Sequence, residues 1–222
     1  MTIKAILFDV DGTLVDSNDL HAQAWTKAFA EFGHLISLED VRGRIGMGGD
    51  NLMPALIGAK AVDEDGPAIS AARGRIYSAS YARRVTPFAD VAALFRRAKQ
   101  DGWMIVIATS GDSREIEPHL DMLGVRSLVD AVTTAGDAER SKPNPDIFAA
   151  ALLKVGAHAK DAIVVGDSPY DIGAASQLGI RTLAVRTGGF SDRILREAGA
   201  SALYDSPADL LARYDGSLLA IH

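Results

Sequence analysis

Short apolar runs alternate with amphipathic segments along most of the chain. The apolar runs are typical of buried β-strands and cover residues 3–9, 103–108, 129–134, 162–165 and 182–185. Segments whose apolar positions have helical spacing separate the later runs, at 113–123, 145–155 and 170–178. Strands that alternate with helices form parallel sheets covered by helices on both faces. The pattern therefore predicts an α/β fold with a Rossmann-like parallel sheet.

Residues 17–85 interrupt this alternation. Apolar residues recur at helical spacing from Leu20 to Phe32, and further helices are predicted near 50–57 and 67–83. We therefore expect an all-helical cap at 17–85, inserted into a core formed by residues 1–16 and 86–222, with hinges near 13–17 and 84–88. The apolar stripe that contains Trp25 and Phe29 is predicted to be the core of this cap.

Two carboxylates, Asp9 and Asp11, follow the first predicted strand and precede Gly12. Residues two apart in an extended chain project to the same side, so both carboxylates would share one pocket at the carboxyl edge of the sheet. Such a pair repels unless a cation lies between the two groups or they divide acid and base roles. A strand followed by an ordinary Asp-Gly turn is the alternative interpretation.

Polar motifs follow three later strands. Thr109, Ser110 and Gly111 combine a hydroxyl, free amides and a glycine before a helix, which suits an anion such as phosphate. A plain strand-to-helix turn would have the same composition. Lys142 is followed by Pro143 and lies on a stiffened segment, so it either acts on a bound anion or is an exposed lysine at a helix start.

Asp167 and Asp171 follow the fourth predicted strand. With Asp9, Asp167 would supply two oxygen ligands, the usual protein contribution to a Mg²⁺ site that keeps water and substrate phosphate. Asp171 falls in the first turn of the next helix, where a carboxylate also complements the helix dipole.

Composition narrows the functional classes. The formal charge of −6 disfavours nucleic acid as a partner, and no apolar run is long enough to cross a membrane. There are no cysteines, and the N-terminal residues show no signal-peptide pattern. We expect a cytoplasmic protein that is a monomer or a small homo-oligomer.

The four motifs, each at a strand end, resemble those of the haloacid dehalogenase superfamily, and specifically its phosphatases with a helical cap after the first motif. The resemblance covers nearly the whole chain. It implies that Asp9 is the nucleophile, which becomes an aspartyl-phosphate, and that Asp11 is the general acid and then the base. It also implies that Lys142 is an electrostatic clamp and that Thr109, with Ser110 and Gly111, holds the phosphoryl oxygens. The implied Mg²⁺ ligands are Asp9, the Asp11 carbonyl and Asp167, with Asp171 either a ligand or a partner of one.

The residue at the position of Asp11 differs between members of that superfamily that catalyse different reactions. Its dehalogenases and phosphonate-cleaving members carry no aspartate there, so the resemblance implies hydrolysis of a phosphate ester. The expected substrate is a small phosphorylated metabolite, such as a sugar phosphate, a polyol phosphate or phosphoglycolate. A β-phosphoglucomutase-like sugar phosphomutase is the alternative. Gly46 and Met47 stand where the mutase has a phosphate-binding arginine, and Asp112 stands where it has a lysine.

Cap residues are expected to select the substrate. The loop with Arg44, Gly46 and Met47 resembles the specificity loop of capped family members, and an arginine there could contact an anionic substrate end. A loop with solvated arginines is the alternative. His21 stands where related enzymes have a histidine that faces the site, although packing at the cap interface would also explain it.

Overall fold

The computed structural model describes residues 3–220. The strands are β1 (Ala5–Phe8), β2 (Val15–Asp16), β3 (Thr86–Pro87), β4 (Met104–Ala108), β5 (Ala131–Thr133), β6 (Ala162–Gly166), β7 (Arg181–Val185) and β8 (Ala202–Tyr204). The α-helices are α1 (Asn18–Glu31), α2 (Leu38–Arg42), α3 (Gly49–Ile57), α4 (Ala59–Ser80), α5 (Val91–Gln100), α6 (Ser113–Leu123), α7 (Asp146–Val155), α8 (Pro169–Ser176), α9 (Asp192–Glu197) and α10 (Pro207–Ala212). Among residues 3–220, no helix combines the length and the apolar character needed to cross a bilayer.

Six strands form one parallel sheet in the order β5-β4-β1-β6-β7-β8. The first strand lies at its centre, with Ala5 opposite both Met104 of β4 and Ala162 of β6. This confirms the predicted α/β fold. The edge strand β8 is missing from the prediction because three residues are too few to show a pattern of their own.

The two faces of the sheet bury alternate residues of each strand. Ile6 and Phe8 of β1 face the layer that contains α5, where the Phe8 and Phe95 rings lie 4.6 Å apart. Ala5 and Leu7 face the opposite layer, formed by α7 and α8. Because both faces are covered, the strands are almost wholly apolar and their polar groups begin only where they end.

Helices α1 to α4 lie between β1 and β4 and pack on one another. Trp25 and Phe29 are buried and their rings stack at 5.5 Å, so the predicted role of this stripe as cap core is confirmed. The two-residue strands β2 and β3 pair antiparallel where the chain leaves the core and returns to it.

Helix α4 begins eight residues before the predicted start near 67, and Pro67 lies inside it. A proline within a helix leaves the carbonyl four residues earlier without its usual donor. Here both Pro67 and Asp63 are exposed, so solvent can satisfy that carbonyl. The proline therefore does not end the helix.

Candidate active site

Asp9 and Lys142 form a buried ion pair at the carboxyl edge of the sheet. The backbone N–H of Asp9 donates to the Val165 carbonyl at 3.0 Å, which continues the pairing of β1 with β6 by one residue. Nζ of Lys142 lies 2.6 Å from Oδ1 of Asp9 and donates to the Ala108 carbonyl at 3.0 Å. Nζ also lies 2.8 Å from Oδ1 of Asp171. Lys142 is only 1% exposed, so this lysine is fixed in the site rather than solvated.

The charge on Lys142 is stabilised by its carboxylate partners. Burial opposes the charged ammonium, but Asp171 and Asp9 together raise the pKa of Lys142 above its ordinary value. Asp171 is committed to this task, because its Oδ2 accepts from the Ser168 amide at 3.1 Å and from the Ser168 hydroxyl at 2.6 Å. The same bonds cap α8, so a helix start holds the partner of the lysine.

Three buried carboxylates meet at this point. Asp9, Asp167 and Asp171 each offer an oxygen, and these oxygens lie within 4.8 Å of one another. The Thr13 hydroxyl lies 3.2 Å from Oδ2 of Asp9 and 3.2 Å from Oδ1 of Asp167. Lys142 alone cannot neutralise three carboxylates.

The pKa values of the cluster reflect this excess of negative charge. Burial raises the pKa of Asp9 to about 7, and Asp171 and Asp11 act in the same direction. Burial, Asp171 and Asp9 likewise raise the pKa of Asp167 well above its ordinary value. Carboxylate oxygens are the ligands that hard divalent cations prefer. The cluster therefore has the donor set and the charge to hold Mg²⁺.

Asp11 lies on the cap side of this cluster. Its Oδ1 accepts hydrogen bonds from Nε2 of His21 at 2.9 Å and from the Ser17 hydroxyl. Ser17 immediately precedes α1, but its hydroxyl donates to Asp11 and does not cap the helix. Although burial would raise the pKa of Asp11, His21 and the hydrogen bond from Ser17 lower it well below its ordinary value.

The tautomer of His21 follows from its other neighbour. A guanidinium N–H of Arg73 is directed at Nδ1 of His21. Since arginine can only donate, Nδ1 must accept and the ring proton lies on Nε2, which donates to Asp11. The His21 ring also stacks on Tyr77 at 4.2 Å. A residue of the cap thus directs a proton at Asp11.

The loop after β4 approaches the free side of Asp11. Oγ1 of Thr109 accepts from the Gly111 amide at 3.0 Å. A Cβ added at Gly111 would lie 3.7 Å from Oδ2 of Asp11, so the two loops are adjacent. The hydroxyl of Ser110 is buried without a hydrogen-bond partner among residues 3–220. An unpaired buried hydroxyl next to the proposed proton carrier suits an incoming anion.

The cap loop lies directly on the core loops. A side chain at Gly46 would overlap Ser168, and one at Gly48 would overlap Ser141. Met47 is partly buried against the apolar core. Arg44 donates to the carbonyl of Asp40 at 3.0 Å, within its own segment, and makes no hydrogen bond to the carboxylate cluster in the described structure.

The family comparison agrees with this geometry. The model for haloacid dehalogenase-like hydrolases matches residues 6–185, which is most of the chain. The chain belongs to that family.

Proteins with similar sequences support the prediction that this hydrolase is a phosphatase. It is 32% identical to a phosphoglycolate phosphatase of Cereibacter sphaeroides over 224 residues, which cover 95% of this chain and 99% of the relative. It is 31% identical over 209 residues to the chloroplast protein SUPPRESSOR OF QUENCHING 1 of Arabidopsis thaliana, where the match covers 91% of this chain but only 20% of the much longer relative. The prediction of a phosphatase of this family is thereby confirmed.

Solved structures show the same fold. A hydrolase from Pseudomonas syringae superposes with a TM-score of 0.89 at 27% identity and covers 96% of this chain and 98% of that one. A "putative beta-phosphoglucomutase" from Bacteroides vulgatus superposes with a TM-score of 0.84 at 26% identity and covers 96% of this chain and 88% of that one.

Some residues of the site carry no signal in the sequence. Thr13 lies inside the first motif, but its bridging contact depends on Asp167, which is far away in the chain. Arg73 lies in the middle of α4 and reaches both His21 and Glu115 of α6, with Nη1 and Oε1 2.8 Å apart. Asn18 begins α1 and donates to Oδ2 of Asp167 at 2.9 Å. Each contact joins segments whose proximity only the folded chain reveals.

Proposed function

We propose that this hydrolase is a Mg²⁺-dependent phosphatase that cleaves a small phosphorylated metabolite through an aspartyl-phosphate on Asp9. One observation carries the proposal. Asp9 is buried beside Lys142 and Asp167, and Asp11 lies next to it with a proton donor of its own. A nucleophilic carboxylate, a fixed cation and a separate proton carrier are the groups that phosphoryl transfer needs.

In the first half-reaction, a carboxylate oxygen of Asp9 attacks phosphorus while the bond from phosphorus to the ester oxygen breaks. Asp11 transfers its proton to the departing oxygen. Its Oδ1 is occupied by His21 and Ser17, so Oδ2 is the oxygen that exchanges the proton. The negative charge of a bound phosphoryl group raises the pKa of Asp11, which favours the acid form at this step.

In the second half-reaction, Asp11 is ionised and takes a proton from a water molecule. The water oxygen attacks the phosphorus of the aspartyl-phosphate, inorganic phosphate leaves and the carboxylate of Asp9 is restored. Asp11 then carries the proton that balances the step. The hydrogen bond from His21 stabilises the ionised form of Asp11 that acts as the base here.

The remaining residues hold the transferring group. We assign the binding of phosphoryl oxygens to the Thr109 hydroxyl and the Ser110 and Gly111 amides, of which the Gly111 amide would exchange its bond to Thr109 for the substrate. Lys142 would offset negative charge on Asp9 and the phosphoryl group. When bound by Asp9, the Asp11 carbonyl and Asp167, Mg²⁺ would offset charge on the phosphoryl oxygens. Asp171 would orient Lys142, because its Oδ1 lies 2.8 Å from Nζ of Lys142 and its Oδ2 accepts from Ser168.

A small substrate suits the close contact of the cap loop with the core. Gly46 and Gly48 approach Ser168 and Ser141 so closely that no side chain fits between them. The similarity to a phosphoglycolate phosphatase supports phosphoglycolate as one member of the substrate panel, beside sugar and polyol phosphates.

The central experiment is phosphate release from p-nitrophenyl phosphate with and without Mg²⁺. Asp9→Asn should reduce kcat at least about 10³-fold, because the amide is a far weaker nucleophile. Asp63→Asn, at an exposed cap position, is the matched control and should keep wild-type activity. Equal rates for wild type and Asp9→Asn would refute the proposed mechanism.

A sugar phosphomutase is the second candidate, supported by the structural neighbour described as a β-phosphoglucomutase. It would need a cation that holds a second phosphate. Asp112 instead caps α6 and pairs with Arg114 at 2.8 Å, so this position presents a carboxylate. Conversion of glucose 1-phosphate into its 6-phosphate faster than release of inorganic phosphate would establish the mutase and reject hydrolysis as the main reaction.

A further inference from the structure

Asn18 is the first residue of the cap helix α1 and is 3% exposed. Its Nδ2 donates to Oδ2 of Asp167 at 2.9 Å and has a longer contact of 3.5 Å with the Gly188 carbonyl. The Gly188 carbonyl and an ionised Asp167 carboxylate can only accept, so the amide nitrogen faces them. The orientation of the amide is therefore set by the network around Asp167.

The amide oxygen of Asn18 takes no part in this network. Oδ1 is buried and has no hydrogen-bond donor among residues 3–220. A buried carbonyl oxygen without a donor is costly, so such an atom in a folded protein requires an explanation. It cannot be relieved by turning the amide, because the nitrogen would then lose Asp167.

The contacts around Asp167 show that the Asn18 amide lies beside the acidic cluster. Gly12 and Gly188 lie so close to the Asp167 carboxylate that a Cβ at either position would overlap it. Its Oδ1 accepts from the Thr13 hydroxyl, which also contacts Asp9. Asn18 thus joins the cap to Asp167, and it brings an unpaired acceptor to the acidic cluster.

We propose that Asn18 is a positioning residue of the cation site, which orients Asp167 through Nδ2 and accepts a hydrogen bond through Oδ1 from a water molecule bound to the cation. The proposal rests on the proposed Mg²⁺-dependent function. Mg²⁺ characteristically keeps several bound water molecules. Each of these waters is a strong hydrogen-bond donor and needs an acceptor nearby. Because Asn18 belongs to α1, the position of the cap would then affect the affinity for the cation.

The test is the Mg²⁺ dissociation constant of Asn18→Leu, measured by isothermal titration calorimetry without substrate. Leucine has a similar size but neither donates nor accepts. Loss of an outer-sphere partner typically weakens metal binding 10- to 100-fold, so we expect the Kd to rise at least about tenfold. Activity at saturating Mg²⁺ should recover much of its wild-type kcat, since Asn18 does not contact the reacting atoms.

Asn51→Leu is the matched control. Asn51 is also a cap asparagine bonded to the core, but its Nδ2 contacts the backbone carbonyls of Ser141 at 2.9 Å and Lys142 at 3.3 Å and no carboxylate of the cluster. Its Mg²⁺ Kd should equal that of the wild type. If Asn18→Leu does not give a folded protein by circular dichroism, Asn18→Ser replaces it, with an expected Kd above that of the wild type.

An unchanged Mg²⁺ Kd in a folded Asn18 variant would overturn this inference, while wild-type Mg²⁺ binding and phosphate release would leave the proposed function intact. Absence of Mg²⁺ binding by the wild type would instead contradict the proposed function itself. An equal loss of affinity in Asn51→Leu would also overturn the inference, because any cap contact would then have the same effect.

Discussion

Nε2 of His21 donates a hydrogen bond to Oδ1 of Asp11 at 2.9 Å, which joins the cap to the proposed proton carrier of the core. The bond exists only when α1 lies over the end of β1. Proton transfer and cap position are therefore linked through one side chain, and Arg73 fixes the tautomer that makes the link.

Replacing His21 by glutamine should move the pH profile. His21 donates a hydrogen bond to Asp11 and lowers its pKa, against the effect of burial. In His21→Gln the basic limb of kcat/KM, which reports loss of the acid form of Asp11, should therefore shift to higher pH, with kcat reduced about tenfold or more. Profiles from pH 4 to 9 measure this. His158→Gln, at an exposed position, is the control. An unshifted limb would remove His21 from the control of Asp11.

Mg²⁺ should stabilise the protein more at high pH than at low pH. Burial raises the pKa of Asp9 from 3.8 to about 7, so between these values the folded state holds a proton that the unfolded state has lost. The free energy of unfolding of the metal-free protein should therefore fall as the pH rises through this interval, by up to about 1.4 kcal/mol per pH unit for one proton. A cation offsets the same charge and competes with the proton.

Thermal unfolding at pH 5.5 and pH 8, each with EDTA and with Mg²⁺, checks this relationship. The increase in Tm on adding Mg²⁺ should be larger at pH 8. An increase of the same size at both values would show that Mg²⁺ does not compete with protons for these carboxylates.

Removing the Lys142 ammonium should affect both activity and stability. Lys142→Met leaves Asp9 and Asp171 without their shared cation. Breaking a buried pair typically costs about 3–5 kcal/mol of unfolding free energy, and loss of such a clamp lowers kcat about 10²–10³-fold. Urea unfolding and phosphate release measure the two effects.

The double variant Lys142→Met with Asp171→Asn distinguishes charge from packing. It removes one of the uncompensated carboxylates, so it should recover part of the lost stability but not the activity. If the double variant is no more stable than Lys142→Met, the loss comes from the missing side chain and not from unpaired charge.

The cap loop should control substrate preference. Arg44→Ala and Met47→Ala are expected to change the order of kcat/KM values across a panel of phosphorylated metabolites. Asp50→Ala should raise KM for all substrates about fivefold, because Asp50 accepts from the Ser141 amide at 3.0 Å and holds the loop on the core. Lys60→Ala is the control, since that side chain is 91% exposed. A panel order altered equally by Lys60→Ala would remove the loop from the specificity argument.

The core of the site could be predicted from the sequence because its groups follow strand ends. Polar residues after apolar runs place Asp9, Thr109 and Asp167 at one edge of a parallel sheet, whatever the details of packing. Strand periodicity and the alternation of strands with helices are local signals, so the fold class could be predicted with them.

The cap contacts could not be predicted in the same way. Asn51 contacts Ser141, 90 positions away, and Arg73 contacts His21 across 52 positions. Such pairs depend on how α1 and α4 pack and on where the cap lies on the core. Pro67 is a further position where the sequence pattern gave the wrong helix boundary. The helix continues through this residue because its turn is exposed to solvent.

The central position of β1 has a consequence for biosynthesis. Its two neighbours in the sheet, β4 and β6, begin at residues 104 and 162, so β1 has no partner in this sheet until β4 has been made. Long-range parallel pairing of this kind is slow to form. The proposed nucleophile Asp9 is therefore synthesised long before Asp167, with which it would share the cation.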